Sequence, residues 1–493
     1  MRIQTPDWVK HAVFYQIFPD RFAQTRRRPK PVSMRVPLEP WEAPPTLQGY
    51  KGGDLWGIVE HLDYLQSLGV TAIYLTPIFQ STCNHRYHTH DYYQVDPLLG
   101  GNEALTSLLD AAHARGMRVV LDGVFNHASR GFFYFNDILE NGPHSPWLDW
   151  FLIEQWPLSA YDGSLPANYT SWVDNRALPK FNHHNAEARE YIMQVGEYWV
   201  RQGIDGWRLD VPGEVDVPGF WEEFRDRVKA INPEAYIVGE IWTDARKWLD
   251  GTQFDGVMNY LFTGPTIAFT AGDRVIVRHA EEPPYDPYPA LDAAVYAHKI
   301  KTLLDLYPWE IQLTQFNLIS SHDVARVLTV VGAEEASMQT REDAYISTKL
   351  AAVLLMTFPG APSIYYGDEV GVAGGRDPAN RRVFPAEADW NQDMLAFYKQ
   401  LIQLRHQHPA LRIGSYRVVY AEGLTYVFAR CLDDEVMLVG INASEDDIAL
   451  QLDVRALPFT QHPQTFLYGE GSVSWSGDRL QLSLPKRSGA IIG

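Results

Sequence analysis

Eight short apolar runs rich in β-branched residues recur along the chain, at 13–17, 70–75, 118–121, 206–209, 236–238, 257–260, 316–319 and 363–366. Runs this short and apolar suit strands buried on both faces. Helix-period segments such as 58–68, 103–115, 186–202 and 220–230 separate most of them. Parallel strands need a long crossover between partners, and a helix supplies it. The alternation therefore predicts an α/β fold, a parallel (β/α)8 TIM barrel, whose reactive groups sit at the C-terminal ends of its strands.

Two stretches break the alternation. Between 128 and 182 the chain is rich in aromatics, Pro, Gly and Asn without a clear period, which predicts an inserted domain after the third strand. Beyond 413 the helical pattern stops, and runs at 416–420, 426–429, 436–441 and 480–484 alternate between turn residues. That pattern predicts a C-terminal antiparallel β-sandwich domain. The expected organisation is a catalytic barrel over 1–127 and 183–412, an insert over 128–182 and a β-domain over 413–493.

Composition excludes several partners. A formal net charge of −19 is the wrong sign for a phosphate-binding surface, so no nucleic acid is expected. The longest apolar run, 350–356, is too short to span a bilayer, and the first residues lack a signal-peptide core. Two cysteines, Cys83 and Cys431, make no disulfide framework. A cytoplasmic protein is expected. The basic stretch at 26–30 and the Pro-rich sequence to 45 read as an exposed loop.

Four acidic residues fall at or just past predicted strand ends: Asp122, Asp210, Glu240 and Asp323. Strand side chains alternate with period two, so Arg208 and Asp210 share a face while Leu209 turns toward the helices. An Arg beside an Asp favours the ionised carboxylate. One such site reads equally well as a buried ion pair, but four converging carboxylates repel one another and do not serve stability. Crowding by Asp210 and Asp323 would raise the proton affinity of Glu240 and make it a general acid.

These segments resemble the signature regions of the α-amylase family, glycoside hydrolase family 13. Asp122-Gly123-Val124-Phe125-Asn126-His127 is similar to its first region, Gly206-Trp207-Arg208-Leu209-Asp210 to its nucleophile strand, Val238-Gly239-Glu240-Ile241-Trp242 to its acid/base strand and Ser321-His322-Asp323 to the third-carboxylate segment. Further similarity runs from Tyr15-Gln16-Ile17-Phe18-Pro19-Asp20-Arg21-Phe22 to the stretch 376–384. The resemblance implies a retaining hydrolase of α-1,4-glucosidic bonds in maltooligosaccharides, cyclodextrins and starch-type glucans. Asp210 would be the nucleophile, Glu240 the acid/base and Asp323 the supporting carboxylate. Asp122, His127, Arg208, Trp242 and His322 would line the sugar site, Tyr87 would stack under the sugar, and Asp377 and Arg381 would meet the next sugar outward.

Leu178-Pro179-Lys180-Phe181-Asn182 resembles the segment that marks the cyclomaltodextrinase, neopullulanase and maltogenic amylase subgroup. Three departures stand out. Val211-Pro212-Gly213-Glu214 replaces the usual Val-Ala-Asn-Glu. Tyr87-His88-Thr89 replaces Tyr-Asp-Thr. The chain begins directly at Pro6-Asp7-Trp8, where subgroup members carry an N-terminal β-domain that walls the cleft within a dimer. Here either the cleft is more open, or the insert and the Pro-rich segment 29–45 close it, with partial closure by the Pro-rich segment expected, and a homodimer is allowed.

The resemblance requires no cofactor. A structural calcium is allowed but not predicted, because Asp20-Arg21-Phe22-Ala23-Gln24-Thr25-Arg26 lacks alternating oxygen ligands. Two other classes compete. His85, His88 and His90 could serve a metal-dependent amidohydrolase, or the fold could carry a non-catalytic glucan-binding protein. The balance between hydrolysis and transglycosylation is open.

Overall fold

The computed structural model describes residues 3–25, 28, 30, 36–281, 290–335, 337–455 and 462–493, with 339 described by its backbone alone. Eight parallel strands form the barrel: β1 (Phe14–Ile17), β2 (Ala72–Leu75), β3 (Arg118–Gly123), β4 (Gly206–Leu209), β5 (Tyr236–Gly239), β6 (Gly256–Val257), β7 (Phe316–Asn317) and β8 (Ala361–Tyr365). They hydrogen-bond in the order β6-β5-β4-β3-β2-β1-β8-β7. A parallel bridge from Met258 to Phe316 closes the ring, reinforced by the Asn259 side-chain amide, which donates to Asn317 Oδ1 at 2.7 Å.

Large rings fill the interior. Phe14 lies 5.0 Å from Phe316 and 5.8 Å from Tyr236 between centroids, and Tyr74 lies 5.9 Å from Phe316. Gly206 opens β4 because nothing larger fits: a Cβ there would stand 2.3 Å from the Tyr236 carbonyl oxygen. The register sets Asp122 abreast of Arg208 and Arg208 abreast of Val238. This alignment fixes where the charged side chains emerge at the C-terminal mouth.

The outer helices begin with side-chain caps. Asn185 accepts from the Glu187 and Ala188 amides to start Ala186–Arg201, and Asp54 accepts from Gly57 N–H to start Leu55–Glu60. The expected helix at 58–68 is broken at His61 into Leu55–Glu60 and Leu62–Leu68.

Two strands are shorter than their apolar runs suggested. The run at 257–260 carries on into the helix Tyr260–Ala271, leaving only Gly256–Val257 as strand. The run at 316–319 pairs only over Phe316–Asn317, so Asp323 stands six residues past its strand.

In the expected insert, chain paths are held by isolated bridges (His127 to Lys180, Phe151 to Phe181, Ile153 to Tyr169, Ser171 to Pro179) around a helix, Phe133–Asn141. Rings substitute for a regular sheet: Phe135 packs 4.9 Å from Phe151, which stacks 5.3 Å from Phe181. At the C-terminus a five-stranded antiparallel sheet led by Ser415–Glu422, Thr425–Leu432 and Glu435–Asn442 faces a three-stranded one of Ile448–Asp453, Arg479–Leu484 and Ser472–Ser476. Val427, Leu438, Leu480 and Ile492 share the core between them.

The described residues of the basic stretch lie outside helices and strands, with Arg28 exposed and Lys30 half-buried, and both make surface contacts. Arg28 lies 3.7 Å above the Trp56 ring and pairs with Glu103 at 2.7 Å, and Lys30 reaches the Leu98 carbonyl at 2.7 Å. Residues 26, 27, 29 and 31–35, where much of the expected cleft-closing segment falls, lie outside the described residues. Among the described residues no helix is long and apolar enough to cross a membrane.

Candidate active site

Arg208 organises the barrel mouth. Its Nη1 donates to Asp210 Oδ1 at 2.9 Å and to Asp122 at 3.1 and 3.2 Å. Its Nη2 lies 3.0 Å from Glu240 Oε2 and 3.9 Å from Asp323 Oδ2, within ion-pair range but not aligned for a hydrogen bond. The guanidinium is buried. All four sequence-predicted carboxylates thus converge on one cation.

Other donors orient each acid. Tyr74 and Tyr87 hydroxyls donate to Asp122 Oδ2 at 2.6 and 3.0 Å. Glu240 accepts from the Val211 amide at 3.0 Å and from the Trp242 indole at 2.9 Å. The Val211 amide can point there because Val211 adopts φ 36°, ψ 49°, a left-handed conformation costly for a β-branched residue. Asp323 receives the Tyr260 hydroxyl at 3.3 Å, and the Tyr260 ring lies 4.5 Å from that of Trp242.

His322 is fully buried, with Nδ1 2.7 Å from the Gln16 side-chain amide and Nε2 beside the Tyr87 hydroxyl and Asp323 Oδ1. Its ring lies nearly parallel to Tyr87. His127, also buried, stacks on Trp172 at 5.2 Å, and its Nε2 has no partner among the described residues. A buried, unpaired ring nitrogen is costly unless something binds it, which suits a sugar hydroxyl. Arg381 sits further out: Nε and Nη2 each donate to the His322 carbonyl at 3.1 Å, while Nη1 pairs with Asp377 at 3.0 Å. Each sequence-predicted site residue therefore belongs to this mouth or its Arg381 rim.

Burial raises the proton affinity of the whole cluster. Asp122 is pushed up to about 6 by burial, against the pull of Arg208 and two tyrosines. Burial likewise holds Asp210 well above the usual carboxylate range and raises Glu240 and Asp323, in each case opposed by Arg208. The direction for Glu240 is the one expected from crowding, but desolvation is the larger cause and Asp323 adds to it. For Asp210, Arg208 favours the ionised form through its charge and its hydrogen bond, as expected, while burial and the neighbouring acids push the other way. Burial also lowers His127 to about 3 and His322 well below its usual value, so both imidazoles are neutral.

Several contributors had no sequence signal of their own. Gln16 and Tyr74 sit inside apolar strand runs, and Tyr260 lies in a run read wholly as strand. Trp172 comes from the insert, and Val211 acts through its amide. His85, His88 and His90 lie in or beside the turn between the short strands Phe79–Ser81 and Thr89–Val95, a hairpin not anticipated. They lie on the segment that follows β2, with His85 against Tyr87 at a ring distance of 5.8 Å, and do not end barrel strands.

Buried acids around an arginine at the C-terminal mouth of a closed parallel barrel, followed by a β-sandwich, define a glycosidase architecture, and this chain belongs to the α-amylase family. Residues 16–389 match the alpha amylase catalytic domain and residues 414–492 the alpha-amylase C-terminal domain. The protein is a glycoside hydrolase, which sets aside the amidohydrolase and non-catalytic readings. A cyclomaltodextrinase from a Bacillus species is 42% identical over 444 residues, covering 89% of this chain and 74% of that protein. Neopullulanase 2 of Thermoactinomyces vulgaris is 43% identical over 444 residues, covering 89% and 70%. The solved structure of a debranching enzyme from Nostoc punctiforme is 61% identical with a TM-score of 0.92 and covers 100% of both chains.

Proposed function

We propose that this hydrolase cleaves α-1,4-glucosidic bonds in maltooligosaccharides, cyclodextrins and starch-type glucans by double displacement with retention. The observation that carries the reading is the grip of Arg208 on Oδ1 of Asp210, with Glu240 on the neighbouring strand end. Oδ2 of Asp210 is left to attack the anomeric carbon. Glu240, protonated because burial raises its proton affinity, gives its proton to the departing glycosidic oxygen. The bond from anomeric carbon to that oxygen breaks as the bond to Asp210 forms. Glu240, now a carboxylate, then takes a proton from water, whose oxygen attacks the anomeric carbon from the face the leaving group vacated as the bond to Asp210 breaks. A sugar hydroxyl in place of water gives transglycosylation.

Asp323, Asp122 and the neutral imidazoles of His127 and His322 hold the sugar hydroxyls, Tyr87 and Trp242 line the site, and Asp377 with Arg381 meets the next sugar. No metal enters the chemistry. An intracellular setting accords with a relative from Bacillus subtilis named intracellular maltogenic amylase.

A second linkage is favoured by one feature. The Nostoc protein aligned end to end with this chain is named a debranching enzyme, and Pro212–Glu214 forms a tight turn beside Glu240, where subgroup members differ in sequence. We infer that α-1,6 branch linkages are also accepted. Proton NMR of the first product from maltotriose should show the α-anomer, and β-anomer first would overturn retention. Product profiles on γ-cyclodextrin, pullulan and a branched glucan then decide linkage, and an intact pullulan would remove the α-1,6 reading.

A further inference from the structure

The turn between Phe79–Ser81 and Thr89–Val95 gathers Cys83, His85 and His88 beside the carboxylate cluster but outside it. One donor atom from each lies within 4.8 Å of the other two. Cys83 Sγ stands 3.5 Å from His85 Nδ1, and the two imidazoles meet edge to face at 5.2 Å. With Zn–S near 2.3 Å and Zn–N near 2.0 Å, the sulfur–nitrogen edge of a tetrahedral site is about 3.6 Å. The Cys83–His85 edge already has that length, and the remaining edges need to close by about an ångström.

The scaffold between these donors is held independently of them. The Asn84 side-chain amide donates to the Leu47 and Gly49 carbonyls at 2.9 and 2.8 Å. Arg86, buried and at φ 60°, is fixed by Asp96 at 2.9 Å. Residues 84 and 86 therefore pin the turn while 83, 85 and 88 present a thiol and two imidazoles. His90, the third histidine of the sequence cluster, contacts Thr82 Oγ1 at 3.3 Å and is not in the group.

We propose that Cys83, His85 and His88 form a three-ligand site for Zn²⁺ or a similarly borderline-soft divalent cation, with the fourth position open to water, and that loading it inhibits the enzyme. A thiolate with two imidazoles selects such a cation over Ca²⁺ or Mg²⁺. On binding, the Cys83 thiol releases its proton to solvent as the sulfur–metal bond forms. Inhibition follows from the next residue. His85 Nδ1 accepts the Tyr87 amide at 3.2 Å, and a metal on that nitrogen takes the lone pair and shifts the backbone carrying Tyr87. The inhibitory half rests on the proposed place of Tyr87 in the sugar site; the binding half does not.

The test uses the full chain, freed of metal by chelator and titrated with Zn²⁺ by calorimetry and with Co²⁺ by absorption. The expected result is one equivalent bound, a near-ultraviolet thiolate-to-cobalt band, and loss of activity on maltotriose in step with occupancy. Cys83→Ser and His88→Gln should each weaken binding at least about tenfold, remove the inhibition and leave metal-free kcat/KM unchanged. Cys83→Ser should also abolish the band, whereas Cys431→Ser should keep it. A parent protein that binds Zn²⁺ no better than Cys83→Ser, or a cobalt spectrum without the thiolate band, overturns the site. Stoichiometric binding with full activity overturns the inhibition alone. A protein inactive on every glucan would refute the proposed function, yet the binding and cobalt readouts would still judge the site.

Discussion

The two ends of the barrel treat buried acids in opposite ways. At the N-terminal end Asp255, fully buried, meets Arg225 at 2.7 Å, Lys229 at 2.9 Å and the Ile237 amide at 2.9 Å. Asp205, two strands over, meets Arg118 at 2.8 Å, His113 at 2.7 Å and the Val119 amide at 2.8 Å. At the C-terminal mouth Asp122, Asp210, Glu240 and Asp323 converge on Arg208. A site that serves only stability balances its charge, because an uncompensated buried ion is costly. At the mouth burial is the main cause that raises proton affinities, with neighbouring acids adding to it for Asp122, Asp210 and Glu240.

The largest expected effects separate the two ends. Asp210→Asn or Glu240→Gln should lower kcat on maltotriose by about four orders of magnitude, ~5 kcal/mol of transition-state stabilisation, with the melting curve intact or improved. Asp255→Asn should do the reverse. It strands Arg225 and Lys229 without their carboxylate and should cost about 3–5 kcal/mol of stability, while the folded fraction keeps its kcat. Denaturant unfolding beside steady-state kinetics reads both quantities. Were Asp255→Asn to lower kcat steeply with an unchanged unfolding midpoint, the ends would not differ in kind.

The same contrast marks what could be read from sequence. The strands were legible because β-branched residues buried on both faces make runs too short for helices, and Asp122, Asp210 and Glu240 were legible because they fall at or next to the ends of those runs, whereas Asp323 stands six residues past its strand. Strand six was misplaced since its run feeds straight into Tyr260–Ala271, where apolar content alone cannot separate strand from buried helix. Helix Phe133–Asn141, which starts without a side-chain cap, escaped notice within a stretch otherwise rich in aromatics, Pro, Gly and Asn. Hidden most deeply were contacts made across the fold: Gln16 on His322, Trp172 on His127, and the Val211 amide, whose direction depends on a backbone conformation that sequence does not display.

A smaller effect tests how the mouth tunes its acid. The Trp242 indole donates to Glu240 Oε1 at 2.9 Å and so favours the ionised form, lowering a proton affinity that burial raises. Trp242→Phe keeps a ring against Tyr260 but removes the donor. The proton affinity of Glu240 should then rise, the acid should stay protonated to higher pH, and the basic limb of kcat/KM against pH should move upward. A limb that stays in place or moves down, with KM alone changed, would reduce Trp242 to a sugar contact. No equivalent shift is expected from Arg118→Lys at the balanced end, where no acid takes part in turnover.

The smallest effect lies at the rim, where the unbalanced mouth grades into ordinary surface. Asp377 is 41% exposed at its side chain and pairs with Arg381 at 3.0 Å. Exposed pairs contribute about 0–1 kcal/mol, so this bond adds little to the fold. Arg381 does not depend on it, since two of its nitrogens are held by the His322 carbonyl. Removing the carboxylate therefore leaves the arginine in place and the catalytic acids undisturbed. It takes away only the acceptor proposed to meet the next sugar. Asp377→Ala should raise KM for maltotriose a few-fold, about 1 kcal/mol of binding at most, with kcat and the unfolding midpoint unchanged. A fall in stability larger than about 1 kcal/mol would show that the pair belongs to the balanced, structural kind found at the other end. A fall in kcat with KM unchanged would extend the reacting cluster outward to the rim.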